Sequence, residues 1–202
     1  EPLEPGLAIE ALVDALVLDR AAQGAADTLA RLKAAARTWR AKAQALAAEA
    51  EAARERRVAA RLWLRLAALH AAFDPDPAAR VREAFDRAWA ASPGPPALDL
   101  LDRWHAERQD WEGLRHELRR LAGETRDLAA AVAVHLRLAQ VELVRFGDVG
   151  RALQALEEAL RLDPSCETAA LQAFEMHVDA NRATEAVSVL DRHLAATPRK
   201  SQ

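Results

Sequence analysis

The sequence predicts an all-α fold built from antiparallel helical hairpins, and three observations support this prediction. Residues that favour strands are scarce, since the 202-residue chain has no Tyr and four Phe. The seven Gly and nine Pro lie almost entirely between apolar runs, where they end helices. Segments of the chain also recur at fixed spacings, as expected of stacked helical units.

The C-terminal part of the chain contains two copies of one unit, in which matching positions differ by 34 in the numbering. We predict two helices in each copy, 127–146 and 148–162 in the first and 167–180 and 183–196 in the second. Gly147 and Asn181 supply the turns within the two copies. The residues that match at this spacing are Ala139 and Ala173, Ala152 and Ala186, Leu156 and Leu190, Leu160 and Leu194, and Pro164 and Pro198.

A longer spacing, of 72, relates the middle of the chain to its end. The tetrapeptide 64–67 recurs at 136–139, and His105 matches His177. Residues 10–36 join the series at a spacing of 85, which exceeds 72 by 13 and therefore requires a lengthened helix. The sequence predicts a single repeat domain over residues 1–202, with five hairpins at about 7–53, 54–93, 97–123, 127–163 and 167–196.

The lengthened helix is predicted near residues 25–53. No Gly or Pro occurs from Ala25 to Phe73, but the apolar periodicity loses its register between residues 53 and 58. We therefore expect a long helix to end there and a new one to begin after a tight kink. Its apolar positions form a heptad seam, which packs either inside the chain or against a second copy in a coiled coil. The seam comprises Leu29, Leu32, Ala36, Trp39, Ala43, Leu46, Ala50 and Ala53.

The run from Phe146 to Pro164 resembles the second half of a tetratricopeptide repeat. That family has Gly in the turn, small residues at two helix contacts and Pro at the end, which correspond here to Gly147, Ala152, Ala159 and Pro164. The resemblance implies a right-handed α-solenoid whose first helices line a concave binding side. Gln109 and the segment 74–77 replace the turn Gly in two hairpins, so the resemblance leaves their local geometry open.

Composition excludes several other classes of protein. The net charge of −3 argues against a general nucleic-acid binder. A lone Cys166 excludes an internal disulfide and a Cys-rich metal site. No apolar run approaches the roughly 20 residues that span a bilayer, and no signal segment opens the chain, so we expect a cytoplasmic protein.

The two ends of the sequence and its amino-acid composition suggest a piece of a larger bacterial protein. The chain begins at Glu1, and no polar capping helix follows residue 196, so we expect a fragment of a longer array. The excess of Arg over Lys, with abundant Ala, is typical of a GC-rich bacterial coding sequence.

A concave binding side would present a mixture of basic and apolar residues. The resemblance places Leu64, Arg65, Arg103, Arg137, Leu171 and Glu175 there. Family members that grip a chaperone carboxylate use Lys and Asn on successive first helices, which this chain lacks at those places. We therefore predict a protein or peptide partner that contacts Arg and Leu side chains.

A second candidate surface is a stripe of Arg residues spaced by three and four. On one helix face they would bind phosphates or an acidic peptide. The alternative interpretation is a solvated face that balances the acidic segment 1–30. The stripe comprises Arg54, Arg57, Arg61 and Arg65.

We find no apparatus for catalysis in the sequence. His70, His105 and His177 occupy equivalent places late in three first helices, so a stack would separate them, and we interpret them as half-buried packing groups. The Trp residues at 39, 63, 89, 104 and 111 are interpreted mainly as core. We predict no catalytic residue, metal, cofactor or small-molecule substrate.

These observations predict a non-catalytic scaffold that binds a partner protein on its concave face. The first alternative is self-association as a homodimer through the seam at 26–53 or through an open C-terminal end. The second is binding of nucleic acid or an anionic membrane through the Arg stripe, which the net charge disfavours.

Overall fold

The computed structural model describes residues 23–197, and it describes the side chains of Ala34 and of residues 37–197. This part of the chain consists of helices joined by short connections, and it contains no strand. The prediction of an all-α fold is therefore confirmed. The helices are α1 Gln23–Ala52, α2 Arg56–Phe73, α3 Ala78–Ala91, α4 Pro95–Glu107, α5 Trp111–Glu124, α6 Leu128–Phe146, α7 Val149–Leu162, α8 Glu167–Asp179 and α9 Ala183–Ala196.

The chain divides into two compact units, Glu1–Ser92 and Pro93–Gln202. Within each unit, helices that follow one another in the chain pack together. Two helices correspond to each of the segments 54–93, 97–123, 127–163 and 167–196, for which hairpins were predicted, although α4 begins two residues before 97 and α5 ends one residue after 123. The single domain over residues 1–202 and its right-handed winding stay predictions.

In the first unit, α2 packs between α1 and α3. The long helix ends at Ala52 and α2 begins at Arg56, in agreement with the predicted break. Trp39, Ala43 and Ala50 of the heptad seam are buried. The C-terminal half of the seam, from Trp39 onward, therefore packs within the chain. The side chains of the seam before residue 37, and the first helix of the hairpin 7–53, lie outside the described residues.

The second unit contains three consecutive helix pairs, and α4 also contacts α6. Its core alternates Leu with Ala, because small side chains let neighbouring helices approach closely. Leu114, Leu118 and Leu156 are almost completely buried. Ala152 and Ala159, which match the family's small contact residues, have no exposed surface.

The turns of the second unit share a left-handed residue after the first helix of each pair. Gly147 has φ of 65°, Gln109 has φ of 54° and Asn181 has φ of 56°. Gln109 therefore adopts the backbone conformation that Gly favours, although its Cβ makes that conformation costly. The backbone N–H of Asp110 donates to the carbonyl of His105, and that of Arg182 donates to the carbonyl of His177, so these two turns close in the same way.

The hairpin between α2 and α3 turns differently. Asp74 has an extended backbone and accepts hydrogen bonds from the backbone of Asp76 and from Arg80. Burial raises its pKa, but these bonds and the nearby His70 outweigh burial, so the net pKa of Asp74 is lowered. An acidic side chain thus replaces the left-handed residue in this turn.

The three equivalent His residues are packing groups, as predicted, but they are buried and not half-buried, with 5–9% of their surface exposed. Two of them also hold a turn. Nδ1 of His70 lies 3.1 Å from Oδ2 of Asp74, and Nδ1 of His105 lies 2.9 Å from Oδ2 of Asp110. Each contact ties the end of a first helix to the connection that follows it.

Candidate functional site: a groove between α4 and α6

An open groove of about 380 Å³ lies between α4 and α6 in the second unit. Both helices contribute residues spaced by four and three, which share one helix face. On α4 these are Asp99, Arg103 and Ala106, and on α6 they are Arg137, Val141 and Val144. The groove thus joins Arg103 and Arg137, two of the residues predicted for the concave side.

Arg137 does not project freely into this groove. Its guanidinium lies 3.1 Å from Oδ1 of Asp99 and 3.0 Å from Oδ2 of Asp102, so it is held by two carboxylates of the neighbouring helix. Its side chain is 29% exposed. Sequence reasoning placed Arg137 among the bases open to a partner, and the structure shows instead that it links α4 to α6.

Asp102 is the less exposed of the two carboxylates. Burial raises its pKa and Asp99 adds to that effect, while Arg137 and His105 act in the opposite direction, and the net pKa is above the ordinary value. Its Oδ1 is buried and has no hydrogen-bond partner among the described residues.

Two other Arg residues at the groove remain open to solvent. Arg103 and Arg145 are both exposed, and neither forms an ion pair with a described residue. The Arg145 guanidinium lies 3.7 Å from the centroid of the Trp111 ring. Stacking on the ring orients the group and leaves its hydrogen-bond donors available to a carboxylate.

The predicted residues of α8 are exposed on one face of that helix. Leu171 is 46% exposed and Val178 is 49% exposed, and the exposed Glu175 lies between them. At the shorter repeat spacing, Leu171 is equivalent to Arg137, Glu175 to Val141 and Val178 to Val144. The face of α6 that lines the groove therefore recurs on α8.

Leu64 and Arg65 belong to α2 in the first unit. Leu64 is half-buried and Arg65 is exposed. Their part in a concave surface stays a prediction.

The predicted Arg stripe is shorter than the sequence indicated. Arg54 lies in the connection before α2, which begins at Arg56, so it does not share the helix face. Arg57, Arg61 and Arg65 do lie on α2 and are exposed, without ion pairs to described residues. The prediction of four guanidiniums on one helix face is corrected to three, because the helix starts two residues later than Arg54.

The Trp residues divide between the core and the surface. Trp39 and Trp63 are buried, as predicted, whereas Trp104 and Trp111 are half-buried. Arg108 stacks on Trp104 at 3.3 Å from the ring centroid, which removes that ring face from contact with a ligand. Within residues 23–197, no group of three or more His, Cys, Asp or Glu is placed to hold a metal ion.

Sequence reasoning missed Val144, Arg145 and Trp111 as groove residues. The shorter repeat spacing carried the signal, since it matches Val144 with Val178 and Arg145 with Asp179.

None of the helices in the described part of the chain is long and apolar enough to cross a membrane.

Comparison with known proteins supports the repeat assignment. The tetratricopeptide repeat family model matches residues 143–202. No curated protein sequence matches the chain significantly. The structure of PilF from Pseudomonas aeruginosa matches at 15% identity and a TM-score of 0.46, with 97% of this chain and 79% of that chain covered. Residues 143–202 therefore carry the sequence pattern of the tetratricopeptide repeat family.

Proposed function

We propose that this protein is a non-catalytic interaction scaffold, and that a segment of a partner protein binds the face of α4, α6 and α8. We call this the binding face and define it by four equivalent positions on each helix. They are Asp99, Arg103, Ala106 and Glu107 on α4, then Arg137, Val141, Val144 and Arg145 on α6, and Leu171, Glu175, Val178 and Asp179 on α8.

One observation carries this proposal: large apolar side chains remain exposed on the binding face of α6 and α8. Val144 is 63% exposed, its equivalent Val178 is 49% exposed, and Leu171, on the same face of α8, is 46% exposed. A single exposed apolar side chain needs no explanation, but several on one face of two neighbouring repeats favour an interaction surface. Repeats of this family generally mediate protein–protein contacts, which agrees with such a surface.

A peptide selection against the full chain tests the proposal. The random library would hold peptides of about 15 residues, long enough to cross three packed helices in an extended or a helical form. The affinities of the selected peptides would be measured by fluorescence anisotropy. Val144→Asp should weaken binding by tenfold or more, about 1.4 kcal/mol, because it places a carboxylate in the apolar part of the face.

Val149→Asp is the matched control, since Val149 is 44% exposed at the start of α7 and lies off the face. This variant adds the same charge to the protein and should leave peptide affinity unchanged. Equal binding by both variants would contradict the proposal.

Self-association is the second candidate, and exposed residues of α9 favour it. Val187 is 56% and Leu194 is 67% exposed, whereas their equivalents on α7, Leu153 and Leu160, are buried and half-buried. A second copy that covers this part of α9 would bury both. Light scattering at high concentration should then give a dimer mass that Leu194→Asp reduces to that of a monomer. A monomer mass for the unmodified chain would refute self-association.

Binding of an anionic ligand through α2 rests on the exposed Arg57, Arg61 and Arg65. Affinity for single-stranded DNA or anionic vesicles should fall steeply with added salt if these residues carry it. Affinity that is unchanged by salt would refute this alternative.

A further inference from the structure

The charges of the binding face separate along the direction from α4 to α8. Near α4 and α6, Arg103 and Arg145 are exposed and form no ion pair with a described residue. On α8, the equivalent positions hold the exposed acids Glu175 and Asp179, which also lack ion pairs in the described part of the chain. Arg103 matches Glu175 at a spacing of 72, and Arg145 matches Asp179 at a spacing of 34. Arg103 and Arg145 are therefore each matched by an acid on α8, although Glu107 of α4, which is equivalent to Arg145, is itself acidic.

The remaining charges near α4 do not cancel this separation. Arg137 is held between Asp99 and Asp102, and Glu107 lies 3.9 Å from Arg108. When these groups are counted together with Arg103 and Arg145, four bases face three acids, so the α4–α6 end has a net formal charge of +1. The α8 end is negative.

An apolar row connects the two charged ends. Ala106, Val144 and Val178 occupy the same position on α4, α6 and α8, and all three are exposed. α4 contacts α6, and α7 packs against both α6 and α8. Because neighbouring helix axes lie roughly 8–10 Å apart, the row extends over at least about 20 Å. An extended segment needs at least about six residues to cover that length, and a helical one about thirteen.

We propose that the partner segment is acidic at one end, apolar in the middle and basic at the other end. Its acidic end pairs with Arg103 and Arg145, its apolar side chains cover the row from Ala106 to Val178, and its basic end meets Glu175 and Asp179. This inference rests on the proposed function, because it assigns the chemistry of the partner that the binding face receives. Opposite charge at the two ends also disfavours uniformly acidic or uniformly basic segments, which would place like charges against one end.

The selected peptides test this inference directly. We expect them to share an apolar centre between an acidic and a basic end. The double variant Arg103→Glu and Arg145→Glu should weaken such a peptide by about tenfold, since it makes both ends of the face negative. Replacing the acidic end of the peptide by Lys should then restore its affinity for the double variant. Arg126→Glu with Arg182→Glu is the matched control, because both residues are exposed and lie off the face.

The restored affinity separates recognition from damage to the fold, because a misfolded variant would not gain affinity for a basic peptide. If no peptide is selected, or if Val144→Asp leaves binding intact, the proposed function fails together with this inference. If Val144→Asp abolishes binding but the peptides carry one sign of charge, or the Lys peptide is not restored, the charge separation alone is wrong. A dimer that Val144→Asp converts to a monomer would assign the face to a second copy and overturn the inference.

Discussion

Replacing Asp110 by Ala tests how the turn between α4 and α5 is held. Oδ1 of Asp110 accepts the backbone N–H of Gly113 at 2.9 Å, which caps α5, and Oδ2 lies 2.9 Å from Nδ1 of His105. The Gly113 bond lowers the pKa of Asp110, His105 lowers it further, and burial acts in the opposite direction. The carboxylate is therefore ionised at neutral pH, so Nδ1 of His105 carries the proton and donates it.

The expected loss of stability has two parts. Removing a side-chain N-cap costs about 1 kcal/mol. His105 is 7% exposed, so its Nδ1–H would lose its partner in a buried place, which costs about 1–3 kcal/mol more. The unfolding free energy should fall by about 2–4 kcal/mol, and the melting temperature of the unit by roughly 10 °C.

Urea unfolding followed by circular dichroism measures this loss, with Asp127→Ala as the control. Oδ1 of Asp127 accepts the N–H of Ala130 at 2.8 Å and has no His partner in the described structure, so its replacement should cost about 1 kcal/mol. In a His105→Phe background no donor is left, so Asp110→Ala should cost no more than this control. Equal losses for Asp110→Ala and Asp127→Ala in the unmodified background would refute the reasoning.

Three further predictions concern single residues. A Cβ at Gly113 would lie 2.0 Å from Oδ2 of Asp110, whereas one at Gly123 meets no atom within 4 Å. Gly113→Ala should therefore displace the Asp110 cap and destabilise the protein. Gly123→Ala should stabilise the protein by up to about 1 kcal/mol in the same urea assay. The reverse order would contradict this account. Gln109→Gly should raise the unfolding free energy by roughly 0.5 kcal/mol, since relief of the left-handed strain exceeds the added freedom of the unfolded chain, and a decrease would show that no strain is present. Burial lowers the pKa of His135, although Glu158 raises it. As the pH falls, the unfolded chain therefore binds a proton at this residue before the folded chain does, and stability is lost below about pH 6.5. His135→Leu should flatten this loss of stability between pH 7.5 and 5.5. An unchanged slope would exclude His135 as its source.

Residues that act locally were the ones whose effect could be predicted from the sequence. Gly147 ends α6 and Pro164 follows α7, so the predicted ends of these helices agree with the structure within one or two residues. The break after Ala52 was also found, because the apolar periodicity changes register there. That change of register does not identify which residues leave the helix, and for this reason Arg54 was wrongly placed on α2.

Contacts between helices were harder to predict. The pairing of Arg137 with Asp99 and Asp102 depends on the approach of α6 to α4, which the longer repeat spacing does not reveal by itself. The position of Arg145 over Trp111 depends instead on the packing of α6 against α5. Arg103, Leu171 and Glu175 were predicted for the concave side, and all three are exposed on the binding face, but their part in binding stays a prediction. The ion pairs and exposure of the charged groups came from the structure.

The two carboxylates that hold Arg137 affect the entropy of association. Ordering a long side chain on binding costs about 0.5–1.5 kcal/mol, and Arg is among the most costly because of its many rotamers. Folding has already ordered Arg137, and stacking on Trp111 restrains Arg145, so a ligand would need to immobilise chiefly Arg103. On the proposed binding face, these two side chains would be ordered before the partner arrives. Much of the ordering cost of an encounter would then fall on the partner segment.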